Sequence, residues 1–98
     1  MTELFLEVET KDPSLGFRIF DSTHLSTGET EIQIYEGITA KYNGTIVRLA
    51  VDFPSILQIV IEISKEFVIE IASGLIAAWL YEKLKGKDVK KYELIGVR

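Results

Sequence analysis

The 98-residue sequence has no cysteine, which excludes a disulfide framework, a thiolate zinc site, an iron–sulfur cluster and a cysteine nucleophile together. Packing alone must hold the fold. Proline occurs twice, methionine only at position 1, and Asn and Gln together number three, whereas Ile, Lys and Glu are abundant. This avoidance of thermolabile side chains points to a thermophilic source. Long hydrophobic runs are also missing. The longest mainly apolar stretch without a charge, Ile71 to Tyr81, has eleven residues; a spanning helix needs roughly 20, so no transmembrane segment is expected. The opening Met1-Thr2-Glu3-Leu4-Phe5 lacks a basic stretch followed by an apolar one, so no secretory leader is expected and the cytoplasm is the expected location. Positive charge is in deficit: eleven basic against fifteen acidic side chains give −4 and a pI near 5.0, the wrong overall sign for a nucleic-acid binder.

What the chain does have is core-forming material. With 47% hydrophobic residues and a mean hydropathy of +0.18, it lies far from the disordered class, and its length suits a single domain, residues 1–98. Charge is unevenly distributed, at −6 over residues 1–37, −2 over 38–82 and +4 over 83–98. Two arrangements fit that gradient: an acidic sheet edge beside a basic last strand within one molecule, or a head-to-tail or antiparallel contact between copies.

The first half reads as strands. Leu4, Leu6 and Val8 alternate with Glu3, Phe5, Glu7 and Glu9, predicting a strand over about 3–10. Asp12-Pro13-Ser14 is turn chemistry, and Leu15, Phe17 and Ile19 predict a second strand over about 15–21. Asp21 to Thr30 has one apolar residue in ten and predicts a loop. Tyr42-Asn43-Gly44-Thr45 predicts a two-residue hairpin joining strands at about 31–42 and 45–52. That register puts Ile38, Ala40, Tyr42, Val47, Leu49 and Val51 on one buried face, joined by Ile32 and Ile34. The same parity would bury Glu36, and Gly37 beside it suggests a bulge or kink that releases the carboxylate.

The second half predicts one long helix, Ser55 to Lys85, started by the capping-box spacing of Ser55 and Gln58 and ended with Gly86 at C′. Its apolar stripe would comprise Leu57, Val60, Ser64, Phe67, Val68, Ile71 and Leu75. Such a helix is about 46 Å long, against about 32 Å for the domain's diameter, so it must bend, break or overhang. A competing reading fits the same residues: Leu57, Ile59, Ile61 and Ile63 alternate with Gln58 and Glu62, giving a strand over 56–63 with the helix starting near Lys65. Val89 to Val97 predicts a last strand, with Tyr92 and Leu94 on one side. The expected fold is therefore α+β: a mostly antiparallel sheet of four or five strands, an N-terminal meander packed by the long helix, and a short C-terminal strand. In it Leu4, Ile34, Ala40, Val47 and Leu49 lie under the helix.

No catalytic motif emerges. Asp21, Ser22, His24, Ser26 and Glu29 gather the sole histidine with hydroxyls and carboxylates, but a loop of this composition is far more often a solvated one than a nucleophile with its base. The histidine and scattered carboxylates match no metal-ligand spacing, and the seven glycines form no phosphate loop, so neither metal nor cofactor is expected. Lys83, Lys85, Lys87, Lys90 and Lys91 read as helix-end and strand lysines with solvated heads, without the aromatic residues of a base-stacking platform.

The apolar excess of the helix is the functional signal. Ser73, Gly74, Ala77 and Ala78 repeat small side chains four apart, permitting close approach of another backbone, and Trp79 and Leu80 are candidate anchors. Close packing on the chain's own sheet would account for the small residues equally well. The expected interface is Ile69, Ser73, Ile76, Ala77, Trp79 and Leu80, within a noncatalytic interaction module that forms at least a dimer or docks on a partner protein. Glu62, Glu66 and Glu70 argue against a membrane-surface helix, because anionic lipid favours a basic face. The alternative function is a small-molecule-binding domain or minor enzyme with a pocket near the Asp21–Thr30 loop.

Overall fold

The computed structural model describes residues 2–12, 14–47, 54–87 and 89–97, with the backbone only at 90 and 94–97. Among these residues five antiparallel strands form one sheet: β1 (Thr2–Thr10), β2 (Glu31–Tyr35), β3 (Ile38–Ile46), β4 (Ser55–Ile63) and β5 (Val89–Val97). Two helices, α1 (Leu15–Phe20) and α2 (Ile69–Leu84), lie between β1 and β2 and between β4 and β5. The spatial order is β2-β3-β4-β1-β5, so β2, β3 and β4 form a meander while β1 is inserted between β4 and β5. Both neighbours of β1 run antiparallel to it; β4 and β5 are thus mutually parallel and α2 carries the chain across β1. The α+β architecture expected from the sequence is the one observed.

One face of the sheet is the core. Leu4, Leu6 and Val8 stand opposite Ile61, Ile59 and Leu57, and Ile38, Ala40 and Tyr42 opposite Ile63, Ile61 and Ile59; all are buried. Ala72, Ile76 and Leu80 close this layer from α2, and Leu15, Ile19 and Phe20 from α1. The other face carries Glu3, Glu7 and Glu9 of β1, Gln58 and Glu62 of β4 and Lys41 of β3, all half-buried. Lys41 Nζ meets Glu62 at 2.9 Å and Glu31 at 4.0 Å, and Gln58 Nε2 donates to Glu7 at 3.3 Å. The opposite-signed ends of the chain meet inside one molecule, with Glu9 opposite Lys91 in the β1–β5 ladder. The acidic and basic strands are thus neighbours within one molecule, although β1 is an inner strand and not the expected sheet edge.

Three local expectations are corrected. Residues 15–20 form a helix, not a strand. Leu15 and Ile19, and Gly16 and Phe20, are buried pairs four apart, whereas Phe17, which alternation placed inside, is 39% exposed. Asp12 sets the helix entry: its Oδ1 accepts the Ser14 amide at 2.9 Å and the Ser14 hydroxyl at 2.7 Å, an Asx turn closed by Arg18 on Oδ2 at 3.1 Å.

Asn43-Gly44 is a bulge, not a hairpin turn. Strand β3 runs straight through it, with Tyr42 opposite Ile59 and Thr45 opposite Leu57, so that Asn43 and Gly44 together face Gln58. Gly44 supplies φ +107°, the positive-φ tolerance that the dipeptide signalled, in a different role. The extra residue returns Thr45 to the face of Tyr42, whose hydroxyl lies 2.7 Å from Thr45 Oγ1. Beyond the bulge Val47 is 67% exposed, not buried. Of the expected strand 45–52, Thr45 and Ile46 end β3, Val47 is in no strand, and residues 48–52, Leu49 and Val51 among them, lie outside the described residues. The real hairpin turn is Glu36-Gly37, between paired Tyr35 and Ile38; it leaves Glu36 exposed, as the sequence suggested. Gly37, at φ +90°, lies so close to Phe67 that an added Cβ would come within 2.7 Å of its ring.

The long helix breaks into β4 and α2, the competing reading of residues 56–63. Four β-branched isoleucines and a valine in β4 favour extended backbone, and the segment is needed as the central partner of both β1 and β3. The resulting α2 has 16 residues, about 24 Å, and no longer overhangs. Gly86 follows the Lys85 C-cap at φ +72°, as the C′ assignment required. Strand β5 spans the expected residues, with Tyr92 opposite Val8 and Leu94 opposite Leu6. Among the described residues no helix is long and apolar enough to cross a membrane.

Candidate functional site

Helix α2 is positioned by the chain on both sides of it. At its start the Ser64 amide donates to the Gly37 carbonyl at 2.8 Å and the Phe67 amide to the Ser64 carbonyl at 3.2 Å, tying the β4–α2 turn to the tip of the β2–β3 hairpin. Phe67 meets Tyr35 edge to face at 6.1 Å there. Near its end Lys83 Nζ reaches the Asp21 carboxylate at 2.9 Å. Between these anchors Ala72, Ile76 and Leu80, spaced four apart, face the sheet, with Leu75 and Trp79 packed beside them.

The six expected interface residues divide accordingly. Ile76 and Leu80 are 0% and 3% exposed and belong to the chain's own core, so neither is available as a surface anchor in this fold. Trp79 is half-buried against that core, and its Nε1 is buried without a hydrogen-bond partner among the described residues. Ser73 is half-buried, and Ile69 and Ala77 are exposed. The outward face consists instead of Glu70, Ile71, Gly74, Ala77, Ala78, Tyr81, Glu82 and Lys85, all exposed. Ile71 and Tyr81 keep 59% and 66% of their surface in water, and Val68 at the N-cap keeps 55%.

Sequence reasoning placed Ile71 in the inward stripe because a helix begun at Ser55 centres that stripe on Leu57 and Val60, residues that lie in β4. Starting the helix at Ile69 and anchoring its phase on Ala72, Ile76 and Leu80 turns Gly74, Ala78 and Tyr81 outward. The signal that could have found this face was the isoleucine alternation in 56–63.

The Ser22 and Thr30 hydroxyls of the Asp21–Thr30 loop serve its own turns. Ser22 Oγ donates to the His24 carbonyl at 2.6 Å, Thr30 Oγ1 accepts the Ser26 amide at 2.8 Å, and Asp21 is engaged by Lys83. The Gly28 amide donates to the Tyr42 carbonyl and the Tyr42 amide to the Thr30 carbonyl, at 2.9 and 2.8 Å, stitching the loop to β3. His24 is exposed, and this arrangement aligns no hydroxyl with it as a nucleophile. Among the described residues no three His, Asp or Glu side chains converge on a metal position.

Under this loop lies a cavity of about 170 Å³, lined by Leu25, Leu57, Gly16 and Val47 on its apolar side and by Thr10, Asp12, Thr45 and Ser55. His24 does not line it. The hydrogen bonds from Ser14 hold the Asp12 carboxyl below the ordinary carboxylate value, with Arg18 adding to the effect, so the carboxylate is ionised and already partnered. Compared with known protein families, characterised proteins and solved structures, the chain matches none.

Proposed function

We propose that the chain is a noncatalytic interaction module that works through the outer face of α2, by self-association in the first place and otherwise by docking on a partner protein. The observation that carries this reading is the exposure of Ile71 and Tyr81, at 59% and 66%, on a helix whose opposite face already supplies the core. Large apolar side chains left in water on one helix mark a candidate interaction surface, because burying each would gain roughly 1.5–3 kcal/mol. Sedimentation equilibrium over a concentration series tests it. Mass above 11.1 kDa that is lost in Ile71→Ser supports the reading.

The cavity beneath Leu25 favours a second reading, a small-molecule-binding domain. At about 170 Å³ it falls below the roughly 300–1,000 Å³ usual for ligand pockets, so its occupant would be a fragment of a few heavy atoms. A chain that stays monomeric, and takes up a fragment in a thermal-shift screen with binding lost in Leu25→Ala, would move the assignment to this reading.

A further inference from the structure

We propose that two copies of the chain pair antiparallel through α2, about a two-fold axis between Ala77 and Ala78, with Tyr81 of each copy seated over Gly74 of the other and Glu70 facing Lys85. This rests on the self-association reading above and adds to it the occupant, its orientation and its contacts.

Gly74 lies within α2 on its exposed face. A glycine in the middle of a helix is less favourable than alanine by roughly 0.5–1 kcal/mol, and nothing among the described residues calls for it: a Cβ built there meets none of their atoms within 4 Å. The residue leaves a shallow depression on an exposed surface. The same face carries one bulky ring, Tyr81, at 66% exposure. At 100° per residue, Glu70, Gly74, Ala77, Ala78, Tyr81 and Lys85 fall within an outward arc of about 100°, and all six are exposed.

The stripe is self-complementary. Gly74 and Tyr81 are equidistant from the midpoint between Ala77 and Ala78, and so are Glu70 and Lys85. A two-fold axis at that midpoint therefore brings ring against depression and carboxylate against ammonium, each twice, as an isologous interface requires. The alanines at the crossing let the backbones approach closely, and a shallow crossing angle of about 20° keeps the ends in register. The Lys85 ammonium already lies 5.9 Å from the centre of its own Tyr81 ring, which sets the positive charge at the end of the stripe. A parallel pair would instead set Glu70 on Glu70 and Tyr81 on Tyr81. A helix about 24 Å long is a small contact, so the dimer belongs among weak interfaces and must be sought up to about 500 µM.

The absence of native cysteine makes orientation directly measurable. Glu70→Cys and Lys85→Cys chains are mixed and treated with a short thiol-to-thiol cross-linker. The expected product joins a Glu70→Cys chain to a Lys85→Cys chain, in several-fold excess over either homodimer; predominance of the homodimers, or no preference, overturns the antiparallel arrangement. In a second variant, Gly74→Ala, the dissociation constant of the dimer should rise about tenfold while the melting temperature at micromolar concentration rises. A dimer unchanged or tightened by Gly74→Ala would also overturn the proposal. If mass above the monomer persists and is lost in Ile71→Ser, self-association through α2 survives that failure. A monomer at about 500 µM removes both the proposal and the self-association on which it rests.

Discussion

Lys83 on α2 meets Asp21 at the C-cap of α1, Nζ to Oδ2, at 2.9 Å. The two residues are 62 apart in sequence, and their contact fixes one helix against the other above the sheet. Asp21 also stands at φ +48°, where its amide donates to the Phe17 carbonyl. It therefore has two separable roles. Asp21→Asn keeps the left-handed tolerance and loses the charge, and should cost no more than about 1 kcal/mol because Asp21 is well exposed. Asp21→Ala adds about 1–2 kcal/mol of backbone strain. Urea denaturation of the two variants distinguishes them; equal losses would show that the backbone conformation carries no strain.

The inward and outward faces of α2 should respond oppositely to truncation. Ile76→Ala opens a cavity in the core between α2 and the sheet, at an expected cost of about 2–5 kcal/mol in unfolding free energy. Tyr81→Ala should change monomer stability by no more than about 0.5 kcal/mol, because the ring is mostly in water. Its effect should be confined to association, read by sedimentation. A large loss of monomer stability in Tyr81→Ala would show that the ring supports the fold.

The bulge in β3 gives a third outcome. Gly44→Ala puts a Cβ on a backbone at φ +107°, outside the regions open to L-residues, and should destabilise by about 1–3 kcal/mol. Asn43→Ala, at an exposed position without such a constraint, should lie within about 0.5 kcal/mol of the parent. Similar losses at both positions would mean that the dipeptide acts as a unit.

That bulge also shows how far the sequence could be read. Strands β1 and β5 were legible because Leu4, Leu6 and Val8 alternate cleanly and because Val89 to Val97 follows a clear helix stop at Gly86. Asn43-Gly44 announced positive φ correctly. Whether positive φ closes a hairpin or kinks a strand is decided by the partner strand, and β4 lies more than ten residues away. Helix α1 was illegible because six residues complete fewer than two turns, so Leu15, Phe17 and Ile19 satisfy a strand period as well as Leu15, Ile19 and Phe20 satisfy a helical one. Ile59, Ile61 and Ile63 were open to both readings for a related reason: a strand buried at the centre of a sheet is apolar enough to pass for a helix. The candidate surface inherited that ambiguity, since one misplaced helix start rotated the expected interface onto Ile76 and Leu80.

Asp12 and Lys41 should each make stability depend on pH, in opposite senses. Ser14, through its hydroxyl and then its amide, holds the Asp12 carboxyl below its ordinary value of 3.8, with Arg18 contributing. A carboxyl with a depressed folded value contributes stability that is present above the ordinary value and lost as pH falls through the folded one. Lys41 behaves in the reverse sense. Its hydrogen bond to Glu62, and then the charge of that carboxylate, raise the ammonium above its ordinary 10.5. That contribution is complete below the ordinary value and disappears as pH rises through the folded one. Stability should therefore fall on both sides of a neutral plateau. In Asp12→Asn the acid-side fall, measured by urea midpoints between about pH 5 and 2, should be shallower than in the parent with the alkaline side unchanged. Lys41→Met should show the opposite, a shallower fall between about pH 9 and 12 and an unaltered acid side. An acid limb that keeps its slope in Asp12→Asn would assign acid sensitivity to other carboxylates, such as Glu3 and Glu62, which stand opposite each other in the β1–β4 ladder.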